Sequence, residues 1–66
     1  MEHVALHIAG MSCDHCVRAV RQALLALPGV QAAAVSIGEA TVDYDPARVS
    51  LDELKAAVRD AGYDPA

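Results

Sequence analysis

The chain has 66 residues, a formal charge of −4 at pH 7 and only two aromatic side chains, so it can form one small domain with a thin aliphatic core. Its five basic residues are dispersed along the sequence, which argues against a nucleic-acid or anionic-membrane partner. No apolar run is long enough to span a bilayer, and the N-terminus lacks the pattern of a secretory signal, so we expect a cytoplasmic protein.

The first two predicted elements are a strand and a helix. Val4, Leu6 and Ile8 alternate with smaller or polar residues, which is the period-2 pattern of a strand with one buried face. From Cys16 onward, apolar residues recur at spacings of three, four and three, and this pattern predicts an amphipathic helix. These residues are Val17, Val20, Leu24 and Leu27. The Pro28–Gly29 pair then predicts the end of the helix.

Two short strands joined by a tight turn are predicted next. The first runs from Val30 to Ile37, the turn lies at Gly38–Glu39, and the second strand runs from Ala40 to Asp45. Alternation predicts one apolar face for each strand. The residues on these faces are Ala33, Val35 and Ile37 in the first strand, and Ala40, Val42 and Tyr44 in the second.

A second helix and a terminal strand complete the pattern. The segment Ser50–Glu53 has the form of a capping box, in which the serine and glutamate side chains accept from backbone N–H groups at a helix start. Gly62 predicts the end of this helix. The residues of its apolar stripe are Leu51, Leu54, Val58 and Ala61. The segment from Tyr63 to Ala66 is long enough only for a short strand, and Pro65 suits an edge position.

The predicted order is therefore βαββαβ. Two βαβ halves in this order are typical of the ferredoxin-like α+β sandwich, in which both helices cover a single face of one antiparallel sheet. One buried sheet face and two apolar helix stripes account for most of the bulky aliphatic residues. No linker or low-complexity segment interrupts the pattern, so we predict a single domain over residues 1–66.

The residues with distinctive chemistry lie between the first strand and the first helix. Here Cys13 and Cys16 form a C-x-x-C motif in a loop that leads into a helix N-terminus. The helix dipole and the free N–H groups of the first turn lower the pKa of a thiol. The two-residue spacer lets both sulfurs reach one ion, and thiolates select soft or borderline metals such as Cu(I) and Zn(II). Gly10 allows a sharp turn out of the strand.

A lone C-x-x-C motif leaves other interpretations open. A structural zinc site usually needs four protein ligands, and the sequence has only two cysteines. His3 and His7 lie within the strand pattern and are expected at the surface. A dithiol redox centre also uses C-x-x-C at a strand-to-helix junction, although the thioredoxin core needs a longer chain.

The segment Gly10–Cys16 resembles the G-M-x-C-x-x-C metal loop of the heavy-metal-associated domain family. Its C-x-H-C form, followed by Val17–Val20, resembles the bacterial cytosolic copper chaperones within that family. The similarity covers the full chain, including Leu27–Val30 after the first helix and Ala61–Asp64 near the C-terminus.

The resemblance implies that Cys13 and Cys16 bind one Cu(I) through two thiolates in a near-linear, exposed site. An ion with two ligands can accept a third thiolate, so the resemblance implies transfer by ligand exchange. The implied partners are the metal-binding domains of a copper-transporting P-type ATPase and a copper-responsive repressor. The implied protein is a carrier and not an enzyme, is monomeric without metal, and forms a copper-bridged dimer at excess metal.

The resemblance also assigns roles to other loop residues. Met11 turns inward and fixes the loop to the core, while Gly10 makes the turn. His15 lies exposed in the spacer, where it either tunes the thiolates, supplies a further ligand when two molecules share copper, or simply faces solvent. Ser12 stands where zinc-exporting relatives tend to carry aspartate, which favours Cu(I). Tyr63 either lays its ring or hydroxyl near the metal loop or serves as an ordinary aromatic at the edge of the core.

Three rival interpretations accompany the copper chaperone. The chain can be a metal-binding domain excised from a P-type ATPase, although its start at Met1 favours a free-standing protein. It can also be a thiol–disulfide redox protein. The third rival is a zinc or mercury carrier that uses the same loop.

Overall fold

The predicted order of elements is confirmed in the computed structural model, which describes residues 1–65. The elements are β1 (Glu2–Ala9), α1 (Asp14–Leu25), β2 (Val30–Ser36), β3 (Glu39–Tyr44), α2 (Leu51–Asp60) and β4 (Asp64–Pro65). The four strands form one sheet in the order β2-β3-β1-β4, and every neighbouring pair is antiparallel. This is the ferredoxin-like α+β sandwich. The predicted last strand is confirmed only at Asp64–Pro65, on the sheet edge, and Ala66 lies outside the described residues.

The core lies between one face of the sheet and both helices. In the central strands, Leu6 stands opposite Ala40 and Val4 opposite Val42, so the period-2 pattern places these side chains on the same face. Leu24 of α1 and Leu54 of α2 pack into that cluster and are fully buried. Burial of each leucine contributes roughly 2 kcal/mol of hydrophobic free energy. Both helices therefore cover a single face of the sheet.

The boundaries of α1 differ from the prediction by two residues at each end. The helix begins at Asp14 rather than Cys16, because the carbonyl of Cys13 already accepts from the backbone N–H groups of Cys16 and Val17. It ends at Leu25, and Leu27 lies half-buried in the turn that follows.

Two residues predicted to be on apolar faces are instead exposed. Ile37 is 57% exposed, because β2 ends at Ser36 and the turn consists of Ile37 and Gly38. The prediction that Ile37 continues the face formed by Ala33 and Val35 is therefore wrong. Leu51 is 36% exposed, since it is the first residue of α2 and has no preceding helical turn to pack against.

The start of α2 has the predicted capping box. The Glu53 N–H donates to the Ser50 hydroxyl at 3.2 Å, and the Ser50 N–H donates to the Glu53 carboxylate at 3.2 Å. The helix then runs towards the end of the molecule where β1 leads into α1, since β4 pairs with the last two residues of β1. The C-terminal end of α2 is thus placed beside the loop with the two cysteines.

No helix within residues 1–65 combines the length and the apolar character needed to cross a membrane.

Candidate metal centre

The loop between β1 and α1 begins at a glycine that the backbone requires. Gly10 has φ of +91°, in the region that side chains other than glycine rarely adopt. A Cβ atom at this position would lie 3.8 Å from Cδ1 of Tyr63. The Tyr63 ring therefore packs beside the turn. A residue from the short segment between α2 and β4 is in this way brought to the first residue of the cysteine loop.

The loop is fixed to the protein interior by its second residue. Met11 is only 8% exposed and belongs to the hydrophobic core, where it lies in the same cluster as Ile8 and Val58. Its neighbour Ser12 is exposed, as is Cys13. The loop therefore has one buried side chain on its inner side and presents the first thiol to solvent.

The start of α1 brings the two sulfurs together. Cys13 is the N-cap, with the extended backbone that is typical of this position, and its carbonyl accepts from Cys16 N–H at 3.1 Å and Val17 N–H at 3.3 Å. This first turn folds Cys16 back towards Cys13, and the two Sγ atoms lie 3.5 Å apart. Both thiols are free, Cys13 exposed and Cys16 half-buried.

The Cys16 thiol is predisposed to ionise. Its pKa is lowered from 9.0 to about 6, first by a backbone hydrogen bond from Ser12, then by the side-chain hydroxyl of Tyr63 and by Cys13, while burial acts in the opposite direction. The sequence predicts such a shift from the helix terminus. The largest cause is instead the backbone of Ser12, which precedes the helix. No side-chain pattern in the sequence points to a main-chain donor of this kind.

The remaining candidate residues lie around this pair. His15 and Asp14 are exposed in the first turn of α1, and His15 is on the surface between the two cysteines in sequence. His3 and His7 are exposed on β1, as predicted.

Sequence reasoning missed the contact between His3 and Asp43, which stand opposite each other on β1 and β3 and join by a side-chain hydrogen bond. Only the strand register brings this pair together. The two residues are 40 positions apart in sequence, so no local motif could have indicated the contact.

The donor set suits a soft ion held by few ligands. Across residues 1–65, no group of three or more His, Cys, Asp or Glu side chains is placed to hold a metal, so a four-ligand zinc site has no counterpart among them. With metal–thiolate bonds of about 2.3 Å, near-linear binding needs sulfurs roughly 4.6 Å apart. Near-linear binding of one ion would therefore need the two sulfurs to lie roughly 1 Å farther apart than the present 3.5 Å. Cys13 is exposed, so its side chain has room to move outward.

The fold and the site together define a small ferredoxin-like domain with a dithiol loop at the junction of β1 and α1. The heavy-metal-associated domain model matches residues 5–64. The chain belongs to the heavy-metal-associated domain family.

Individual proteins and solved structures similar to this chain support the assignment to this family. A copper chaperone CopZ from Staphylococcus haemolyticus (strain JCSC1435) is 46% identical over an alignment of 66 positions that covers 97% of this chain and 97% of that one. Among solved structures, a CopZ metallochaperone has a TM-score of 0.94 and 39% identity over 98% of this chain and 100% of that one. The N-terminal domain of a potential copper-translocating P-type ATPase from Bacillus subtilis, in its Cu(I)-loaded state, has a TM-score of 0.90 and 34% identity over 96% of this chain and 81% of that one.

Proposed function

We propose that this chain is a cytoplasmic copper chaperone that binds one Cu(I) through Cys13 and Cys16 and delivers it to a copper-transporting P-type ATPase. The observation that carries the proposal is the pair of free sulfurs 3.5 Å apart at an exposed helix start, one of them with a pKa of about 6. The family membership and the copper chaperone relatives support copper as the cargo. Thiols stay reduced in the cytoplasm, which is where such a site is usable.

The proposed mechanism is ligand exchange between thiolates. Two thiolates suit the soft Cu(I) ion better than a hard cation, and they leave it open to a further ligand. One cysteine thiolate of the acceptor domain attaches to the ion while Cys13 and Cys16 still hold it, and one of the two original thiolates then leaves. A second acceptor thiolate attaches in the same way, and the other original thiolate leaves. The exposure of Cys13 supports this order, since an incoming sulfur can approach the ion from the solvent side. Metal–sulfur bonds form and break in equal number, and the only other change is that protons leave the acceptor thiols and return to the released ones, so the protein acts as a carrier and not as an enzyme.

The proposed acceptor has the same fold as the chaperone. Copper-binding domains of P-type ATPases are among the structural neighbours of this chain. We propose residues 1–66 as a single domain that acts as a free-standing carrier, and a copper-responsive repressor as a second acceptor. The contact with either acceptor is expected to be small and transient, because a carrier that binds tightly does not turn over.

Metal titration tests which ion the protein binds. The reduced protein is titrated with Cu(I) and with Zn(II) against competing chelators. We expect one equivalent of Cu(I) per chain, held far more tightly than Zn(II), and loss of this binding in Cys13→Ser and in Cys16→Ser. Ala47→Cys serves as a control that restores the thiol count in each single variant without restoring the site, because Ala47 is exposed in the loop after β3, at the end of the sheet opposite the cysteine loop. Zn(II) binding that is comparable to or tighter than Cu(I) binding would overturn the choice of copper.

A thiol–disulfide redox protein is the second candidate, because a low-pKa thiol beside a second thiol also suits disulfide exchange. An insulin-reduction assay separates the two functions. A redox protein reduces insulin with turnover and binds Cu(I) weakly, whereas a chaperone gives no turnover above a dithiothreitol blank and binds Cu(I) tightly.

A further inference from the structure

The turn between β2 and β3 carries an apolar side chain with no role in the fold. Ile37 is 57% exposed, and its own φ is negative, so the turn conformation is accessible to almost any residue at this position. The conformational demand falls on Gly38, which has φ of +84°. Exposed turns are usually formed by polar residues or by glycine and proline. Single exposed apolar residues are common on protein surfaces, so the position of Ile37 decides whether it has a use.

The turn lies at the same end of the molecule as the two cysteines. The backbone N–H of Ile8 donates to the carbonyl of Gly38 at 2.9 Å, which holds the turn against the last residues of β1. Gly10, the first residue of the cysteine loop, follows Ile8 by two positions. At about 3.5 Å per residue, Gly38 is therefore within roughly 10 Å of Gly10. The Tyr63 ring flanks Gly10 as well.

The two exposed leucines of the helices lie away from the cysteine end of the molecule. Leu25 is 40% exposed and is the last residue of α1, at the far end of a 12-residue helix that starts beside the cysteines. At 1.5 Å per residue it is about 16 Å along the axis from that start. Leu51 is the first residue of α2, whose other end approaches the loop. Among the exposed leucine and isoleucine side chains of residues 1–65, Ile37 is thus the one that lies at the same end of the molecule as the two thiols.

We propose that Ile37 is an apolar anchor of the transfer complex, where it packs against the copper-receiving domain beside that domain's own thiols. This inference rests on the proposed function. Ligand exchange requires a sulfur of the acceptor to come within about 2.3 Å of the ion, so the two protein surfaces must meet around Cys13. A small, transient interface buries up to about 600 Å² on each partner, equivalent to a disc of roughly 14 Å radius. A side chain next to the cysteine loop falls inside such a disc.

The expected partner is therefore a copper-binding domain of the same fold, such as the P-type ATPase domains that this chain resembles. A few well-packed, desolvated side chains near the centre of an interface account for much of its binding free energy. A polar residue at position 37 would leave the metal site intact and weaken only the encounter with the acceptor. The turn carbonyls and the two thiols supply no comparable apolar contact.

The test compares Cu(I) transfer to a protein with Cu(I) transfer to a small chelator. The acceptor is the N-terminal domain of the potential copper-translocating P-type ATPase from Bacillus subtilis, and the chelator is bathocuproine disulfonate. The donors are the full chain, Ile37→Ser, the conservative Ile37→Leu, and the matched control Leu25→Ser. We expect Ile37→Ser to slow transfer to the acceptor domain about tenfold at subsaturating concentrations, while Ile37→Leu and Leu25→Ser transfer at the rate of the unaltered chain. All four donors should lose Cu(I) to the chelator at equal rates.

Four other results would contradict the inference, the choice of partner or the proposed function. Transfer from Ile37→Ser at the unaltered rate overturns the inference and leaves the proposed function standing. An equal loss of rate in Leu25→Ser also overturns it, because the effect would then not belong to the cysteine end. If the unaltered chain does not transfer Cu(I) to the acceptor domain but releases it normally to the chelator, then this kind of domain is not the partner that Ile37 contacts. Failure of the unaltered chain to hold Cu(I) at all, seen in the chelator experiment, overturns the proposed function and the inference with it.

Discussion

Tyr63 and Cys16 shift each other's ionisation in opposite directions. The hydroxyl of Tyr63 is one of the hydrogen-bond donors that lower the pKa of Cys16 to about 6, and the same contact with Cys16 raises the pKa of Tyr63 above its usual value of 10.0. The hydroxyl is therefore held in its protonated form beside a sulfur that readily loses its proton. A residue between α2 and β4 in this way contributes to the chemistry of a loop that precedes α1.

Removal of this hydroxyl should make the thiol less acidic. In Tyr63→Phe, the ring still packs beside Gly10, but the donor to Cys16 is lost, so the pKa of Cys16 should rise above about 6. A pH titration of the Cys16 Cβ chemical shift in the reduced, metal-free protein measures this directly. Tyr44→Phe is the matched control, because Tyr44 is a buried tyrosine opposite Glu2 at the other end of the sheet. An unchanged Cys16 midpoint in Tyr63→Phe would show that the hydroxyl does not reach the sulfur.

The low pKa of Cys16 should also make the stability of the metal-free protein depend on pH. The folded protein binds the proton with a pKa of about 6, whereas the unfolded chain has the ordinary value near 9.0. Between these values the unfolded state holds more protons, so the free energy of unfolding rises with pH. The contribution is complete above about pH 9 and is lost as the pH falls through about 6.

Urea denaturation under reducing conditions tests this dependence. Cys16→Ser lacks the titrating thiol, so the stability of the unaltered protein relative to this variant should increase from pH 5.5 to pH 8.5. A relative stability that stays constant, or that decreases with pH, would contradict the assigned direction of the shift.

Much of the fold was predictable because its signals are local. The Ser50–Glu53 capping box fixes the start of α2 through hydrogen bonds within four residues, and the alternation in β1 and β3 alone identifies which side chains meet the helices. The failure at Ile37 has a physical reason. Val35 and Ile37 share the period of a strand, but the tight turn between Ser36 and Glu39 ends the strand before Ile37 can reach the buried face.

The approach of the two thiols was predictable from the sequence, but the electrostatics around them were not. The spacing of Cys13 and Cys16 at a helix start is by itself enough to indicate a dithiol. The strongest influence on Cys16 comes from the backbone of Ser12 and the next from Tyr63, which is 47 positions away along the chain. A main-chain donor has no sequence signature, and the approach of Tyr63 follows from the pairing of β4 with β1 and the contact of α2 with β4.

Met11 should support the loop through packing and not through its sulfur. Met11→Leu removes the thioether but keeps a buried side chain of similar size, so it should cost less than about 1.5 kcal/mol and leave the Cu(I) affinity unchanged. Met11→Ala leaves a cavity and should lower the free energy of unfolding by about 2 to 3 kcal/mol. Chemical denaturation measures the free energy of unfolding, and chelator competition measures the Cu(I) affinity. Loss of Cu(I) binding in Met11→Leu would identify the thioether as a ligand.

Excess Cu(I) should join two molecules at their exposed thiols, and His15 should affect that dimer more than the monomer. Cys13 faces solvent, so we expect a copper ion on one chain to be open to the sulfur of a second, and His15 is exposed in the same first turn of α1. Sedimentation should show a monomer without metal and a dimer above one equivalent of Cu(I).

In His15→Ala, binding of the first equivalent should be unchanged, while formation of the dimer should require more copper or follow a different pH profile. His3→Ala, which removes an exposed histidine of β1 away from the loop, should behave as the unaltered chain does. A monomer at every loading would refute the bridged dimer, and loss of the first equivalent in His15→Ala would make His15 a primary ligand.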